Sequence, residues 1–171
     1  FESGYNLPPG MSYAELEMFV ISGSVTYGDT TYGDGYYFLI PPGVSMPEMR
    51  VKKGAVVLMF YNYGEPSFIP SDEDHPLAER YRLSIIDSMK DINWMPGNRI
   101  VPSVASGCML KPLKYDPDTE AHTFLYCMTP GFSQDNISYH DCCEESYHIW
   151  GTSWMMQFGD LPTGGYFWRP P

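Results

Sequence analysis

An all-β fold is what this sequence predicts, and three observations carry the prediction. Sixteen glycines and sixteen prolines in 171 residues put turns too close together for long helices. Between the turns lie short alternating or apolar runs, spaced roughly eight to twelve residues apart as in a sandwich or barrel. One pattern also occurs twice. Glu17-Met18-Phe19-Val20-Ile21-Ser22-Gly23 leads to Gly35-Tyr36-Tyr37-Phe38-Leu39-Ile40-Pro41-Pro42, and Glu145-Ser146-Tyr147-His148-Ile149-Trp150-Gly151 leads to Gly164-Gly165-Tyr166-Phe167-Trp168-Arg169-Pro170-Pro171. Each copy is an acidic residue opening a strand, a glycine turn, a hairpin-like stretch, and a second strand running into paired prolines.

Taken in order, strands are expected at residues 16–21, 23–27, 36–40 and 54–61, with a turn at Gly28-Asp29. Residues 64–76 hold Pro66, Pro70, Asp72, Glu73, Asp74 and Pro76 and read as an exposed loop, with His75 solvated in it. Residues 78–89 fit a short helix or another strand. Trp94, Pro96, Gly97 and Pro102 break any period across residues 90–107, which read as a linker. Strands resume at residues 109–115 and 122–128 around a turn at 116–119. A hydrophobic content of 43%, with 16% aromatic residues, is ample for a core and argues against disorder.

Charge narrows the function classes. The net charge of −11, with a pI near 4.6, and the scattering of Lys and Arg leave no basic stripe for phosphates, so nucleic acid is not an expected partner. An acidic surface does not favour an anionic membrane either, and no apolar run approaches the roughly 18 residues needed to span a bilayer. Cys108, Cys127, Cys142 and Cys143 do not form a disulfide framework by spacing, because adjacent cysteines bridge only with strain. A reducing, cytoplasmic setting is therefore expected, and no leader-like segment opens the chain.

Chemistry concentrates after Pro130. Gly131-Phe132-Ser133-Gln134-Asp135-Asn136-Ile137-Ser138-Tyr139-His140-Asp141-Cys142-Cys143-Glu144, closed by Gly151, resembles the first motif of the cupins, the small jelly-roll β-barrel superfamily: a glycine, His-x-His, a glutamate and a closing glycine. In that frame His140 is the second histidine and Glu144 the carboxylate, while Ser138 stands where the first histidine belongs. Gly164 to Pro170 resembles the opening of the second motif, whose histidine would fall just beyond Pro171. In the first half, Gly35 to Pro41 and Gly43 give the same frame with Met46 in the histidine's place, and Ser12 and Leu16 stand at the first-motif ligand positions. The resemblance implies two cupin-like jelly-roll barrels in tandem, similar to two-barrel proteins of the ChrR-type anti-sigma and acetylacetone-dioxygenase-like kinds. Residues 1–89 would form an N-terminal barrel without ligands. Residues 108–171 would form a C-terminal barrel, truncated before its last ligand position.

Strand parity adds a reading of the site. Ser138, His140, Cys142 and Glu144 share one face, as do Ser146, His148 and Trp150 if the strand runs straight. The resemblance implies a divalent metal, Fe, Mn or Zn, on His140 and Glu144, with a third ligand from His148, Cys142 or a histidine beyond Pro171. Against this, His148 also fits a hydrogen-bonded core histidine, Cys142 a small buried filler, and Cys143 packing outside the barrel. His122 reads as structural or exposed. Arg169 fits either a substrate carboxylate or a surface ion pair, and with Ser138, Cys142 and His148 it completes the candidate pocket.

Two strand segments precede the Pro130-Gly131 turn, whereas only residues 1–7 precede the matching Pro8-Pro9-Gly10. Both barrels are therefore expected to be incomplete, with open edges that further chain or a homo-oligomeric partner covers. Two functions follow. One is a mononuclear-metal enzyme, a dioxygenase or isomerase acting on a small organic molecule in the second barrel. The other is a metal-free cupin that binds a small molecule or serves assembly.

Overall fold

Side-chain alternation along residues 15–23 builds the central strand: Leu16, Met18 and Val20 face one way, Glu15, Glu17 and Phe19 the other, and all six are buried. The structure, a computed structural model, describes residues 1–100, 106–134 and 141–171. These divide into two units, residues 1–132 and 133–171. The protein is all-β and jelly-roll-like, and the helical turns among the described residues are 3-10 turns at Arg80–Arg82 and Gly97–Arg99.

The first unit contains β1 (Tyr5–Leu7), β2 (Gly10–Met11), β3 (Glu15–Gly23), β4 (Val25–Tyr27), β5 (Thr30–Tyr32), β6 (Tyr36–Ile40), β7 (Met49–Val51), β8 (Ala55–Asn62), β9 (Ile69–Pro70), β10 (Ser84–Asp87), β11 (Met95–Pro96), β12 (Cys108–Tyr115) and β13 (His122–Met128). Two four-stranded antiparallel sheets, ordered β1-β7-β4-β5 and β10-β6-β3-β8, supply the walls, and β2 pairs with β9. Leu16, Met18 and Val20 meet Phe38, Ile40, Val25, Tyr27, Met49 and Val51 in one apolar core. Removing each such side chain from water contributes about 1.5–3 kcal/mol.

The outward face of β3 and β6 is buried as well, because a hairpin lies on it. β11, β12 and β13 form a third sheet, in which the register slips between Pro112 and Lys114. Lys111 pairs with Leu125 before the slip and Lys114 with Thr123 after it. One extra residue in β12 therefore puts two lysines three apart on one face, which a regular strand would not do. Lys111 Nζ donates to the Ser88 carbonyl at 2.5 Å, and Lys114 Nζ reaches Glu15 and Glu17. The first unit thus takes in both the 90–107 stretch and the hairpin after it; residues 101–105 lie outside the described residues.

The expected strands at 16–21, 23–27, 36–40, 54–61, 109–115 and 122–128 are all present, within a residue or two. Residues 78–89 hold both a 3-10 turn and β10. The acidic loop is tied down, since Asp74 accepts from the Ser45 amide at 2.8 Å and pairs with Arg80. His75 is half-buried rather than solvated. Its amide donates to Gly43 O at 2.8 Å, and its ring meets Tyr13 edge-on at 6.0 Å.

In the second unit, β14 (Glu144–Tyr147), β15 (Ser153–Met155), β16 (Gly159–Leu161) and β17 (Tyr166–Arg169) repeat the first unit's pairing in the same register. Glu17 opposes Leu39 and Glu145 opposes Trp168; Phe19 opposes Tyr37 and Tyr147 opposes Tyr166. The hairpin repeats too, with Val25 opposite Tyr32 matched by Ser153 opposite Leu161. Gly23 and Gly151 turn with φ of 86° and 90°, and Gly35 and Gly164 both with 84°. The duplicated sequence pattern is therefore a duplicated strand register. No helix among the described residues is long and apolar enough to cross a membrane.

The two turn glycines differ in their surroundings. A Cβ at Gly23 would lie 2.4 Å from the Gly54 carbonyl oxygen, whereas one at Gly151 would meet nothing within 4 Å. Gly23→Ala is expected to cost about 3 kcal/mol or more and Gly151→Ala about 1 kcal/mol. Urea unfolding of the two variants measures the difference, and equal costs would contradict it.

Candidate functional site

A half-open cavity of about 270 Å³ lies in the first unit, and strand alternation explains its lining. Leu16 and Met18 face it from β3, and their cross-strand partners Tyr61 and Met59 face it from β8. Met49 of β7 joins them, as does Met46, whose backbone exchanges two hydrogen bonds with Gly10 at 3.1 and 2.7 Å. Ser12, Ser67 and Phe68 close one end, where the two serine hydroxyls lie 3.2 Å apart and Ser12 Oγ also accepts from the Ala14 amide. Four methionines thus share one small space without an imidazole, carboxylate or thiol in its wall. Burial, with Tyr5 adding to it, raises the phenol of Tyr61 above its ordinary range.

Ser12, Leu16 and Met46, the three first-half positions singled out by motif spacing, therefore meet in one cavity wall. Chemically the wall is soft and adaptable: thioethers on unbranched chains accept many apolar shapes. A wider depression beside Phe1 and Gly54 is shallow and open, and apart from Glu2 its side chains are small or apolar.

The second concentration of chemistry is the charged layer on the outward face of β3. Glu15 and Glu17 are 1% and 2% exposed. Lys114 Nζ bonds Glu17 Oε1 at 3.1 Å and also Glu15. Asn62 donates to Glu17 at 2.7 Å and to Glu15 at 3.3 Å, and Arg82 approaches Glu15 at 3.5 Å. The Tyr37 hydroxyl donates to Glu17 Oε2 at 2.6 Å. Burial, reinforced by the Glu17 charge, pushes that phenol far above the usual range. Burial alone would lower Lys114, yet the two carboxylates outweigh it and hold the ammonium above the ordinary lysine value. Every member has a partner, which makes this a clamp fixing β12 to the sheet. Sequence reading missed it, because nothing local marks Lys114 as the partner of residues almost a hundred positions earlier.

In the second unit only some of the candidate residues are described. His140 and Ser138 lie outside the described residues. Glu144 opens β14 opposite Arg169, and Arg169 Nε donates to its Oε2 at 2.5 Å, so the ion-pair reading of Arg169 applies. Cys142 is exposed, not buried, since it sits in a bend before the strand starts and so gains no inward face. Cys143 is exposed as well. His148 falls after β14 ends at Tyr147, so strand parity does not carry to it. It is half-buried, and its Nε2 lies 3.1 Å from Ser153 Oγ. His122 is exposed and stacks on Phe124 at 5.1 Å. Among the described residues, no three His, Cys, Asp or Glu side chains gather as a metal site.

The clamp has a pH signature. Tyr37 and Lys114 both hold their protons to higher pH in the folded chain than in the unfolded one, where each titrates at about 10. Their contribution is therefore complete below about pH 10 and is lost as pH rises above it. Lys114→Met, leaving two carboxylates buried, is expected to cost about 3–5 kcal/mol at neutral pH. Adding Glu15→Gln and Glu17→Gln should recover much of that loss and flatten the alkaline fall of the unfolding midpoint. Thermal melts between pH 7 and about 11 measure both effects.

A family model described as "Domain of unknown function (DUF4437)" matches residues 1–171. A crystal structure of a putative dioxygenase from Nostoc punctiforme matches with a TM-score of 0.85 at 24% identity, covering 99% of this chain and 59% of that one. A putative glyoxylate-induced protein from Pseudomonas aeruginosa matches with a TM-score of 0.57 at 17% identity, covering 96% of this chain and 63% of that one. The chain thus spans about three-fifths of each solved structure, and the likeness is one of fold. No curated protein matches the chain.

Proposed function

The chain belongs to the DUF4437 family along its whole length, and from that premise we propose that its first repeat is a metal-free, cupin-like pocket for a small, largely apolar molecule. One observation carries this reading. Ser12, Leu16 and Met46, where a cupin would place metal ligands, line a single cavity together and supply no imidazole or carboxylate. At about 270 Å³ the space lies just below the roughly 300–1,000 Å³ of drug-sized pockets, so the molecule is small. Met18, Met46, Met49 and Met59 would pack its apolar body, and the hydroxyl-bearing residues Tyr5, Ser12, Tyr61 and Ser67 are available in the wall to orient it.

Xenon or benzene titration, followed by the methyl resonances of those four methionines, tests the pocket. Saturable shifts are expected in all four, because apolar cavities of this kind bind such probes. Met59→Phe, which fills the space, should remove them. Methyl signals that stay fixed up to the solubility limit of the probe would contradict the proposal.

A second reading keeps a metal enzyme in the second repeat, favoured by the description of the Nostoc protein as a putative dioxygenase. It would rest on His140 joining Glu144 to hold Fe, Mn or Zn, whose Lewis acidity and open coordination positions would serve a small organic substrate. The described residues do not by themselves make such a centre, because no three His, Cys, Asp or Glu side chains gather among them. Elemental analysis after metal-supplemented expression decides. Near-stoichiometric metal lost on His140→Ala is the outcome this reading requires, and less than about a tenth of an equivalent would end it.

A further inference from the structure

The two repeats share one side-chain bond as well as a strand register. Tyr37 donates to Glu17 Oε2 at 2.6 Å, and at the matching place Tyr166 donates to Glu145 Oε2 at 2.7 Å. Their surroundings differ sharply. In the first repeat Glu17, Phe19, Tyr37 and Leu39 form one face and are 1–8% exposed, with Lys114 of β12 bonded to Glu17. In the second repeat the same face carries Glu145, Tyr147, Tyr166 and Trp168. There Glu145 is exposed, and Tyr166 and Trp168 are 55% and 53% exposed. The opposite side of β17 is already packed, since Phe167 is buried and stacks on Phe158 at 4.7 Å. An aromatic face around a carboxylate, left uncovered where the matching face of the first repeat is covered, is a surface built for a partner.

We infer that the Glu145–Tyr166–Trp168 face of β14 and β17 docks a lysine-bearing β-hairpin of the β12–β13 kind, supplied by further polypeptide such as the longer Nostoc protein possesses. The first repeat shows what such a hairpin does: a bulge turns its lysine onto the carboxylate that the tyrosine already holds. Charge complementarity excludes a second copy of this face as the occupant, because it would set Glu145 against Glu145 in a chain of net charge −11. Nor is the chain's own β12–β13 hairpin the occupant, because Lys114 is bonded to Glu15 and Glu17. The Nostoc protein has polypeptide to spare for the role, since this chain accounts for 59% of it.

A tethered hairpin tests the surface. A second copy of residues 107–129 is joined ahead of Phe1 by a flexible Gly/Ser linker, and hydroxyl-radical labelling of Trp168 and Tyr166 is read by mass spectrometry. Labelling of both should fall at least about threefold relative to the untethered chain, since a flexible linker long enough to reach from Phe1 to this face supplies a high effective concentration. Glu145→Lys in the chain should restore labelling, and pairing it with Lys114→Glu in the added hairpin should protect the face again. Unchanged labelling in the tethered chain, or protection that survives Glu145→Lys alone, would overturn the assignment. Labelling of Tyr37 serves as the internal control for an intact first repeat.

Discussion

Two carboxylates buried side by side on β3 are the constraint on which the first unit depends. Glu15 and Glu17 are nearly inaccessible to solvent, and burying such charges without partners would cost several kcal/mol each. Lys114, Asn62, Arg82 and Tyr37 answer them. Because Lys114 comes from β12, the electrostatic requirement of one strand dictates where a distant hairpin must lie. The bulge at Leu113 serves the same requirement by turning Lys114 onto the face that Lys111 already uses. Apolar packing on the inner side of β3 and charge pairing on its outer side then fix the same strand from both faces.

That division of labour separates scaffold from chemistry. The inner face, freed from carrying charge, lines a cavity of methionines, aromatic residues and two serines. An interior without imidazole or carboxylate lets an apolar molecule enter without desolvating an ion. The second repeat keeps the strand register but changes its contents. At the position of Leu16 and Ile40 it has the ion pair of Glu144 and Arg169. One backbone pattern thus supports an apolar interior in one copy and a charged pair in the other.

Much of this architecture was legible in the sequence, and the reasons for success and failure are physical. Glycines obliged to take positive φ and strands of alternating polarity are local signals, so the strands, the turns and the repeat could be read directly. The meeting of Ser12, Leu16 and Met46 was legible through motif spacing, because strand register converts spacing into position. The clamp was not, since no local signal links Glu15 to a lysine 99 positions on. Cys142 was misjudged as buried because parity was extended past the end of β14, and parity holds only while the strand lasts, whereas His148, just past the strand, keeps a hydrogen bond to Ser153. The pairing of β7 with β1 and β4 escaped notice because Met49–Val51 is too short to show a period.

The clamp also orders events in time. Residues 1–62 contain β3, β6 and β8 and can pair as soon as they are synthesised, yet the acids on β3 have no lysine until residue 114 has emerged. At translation rates of about 5–20 residues per second, that interval lasts on the order of seconds, far longer than hairpin formation takes. During it, the outer face of the sheet must remain hydrated or its carboxylates protonated, because neither Glu15 nor Glu17 can be buried charged and alone. The nascent first repeat is thereby held as an open, acidic sheet, whose charge opposes edge-to-edge association until its own hairpin arrives to cover it.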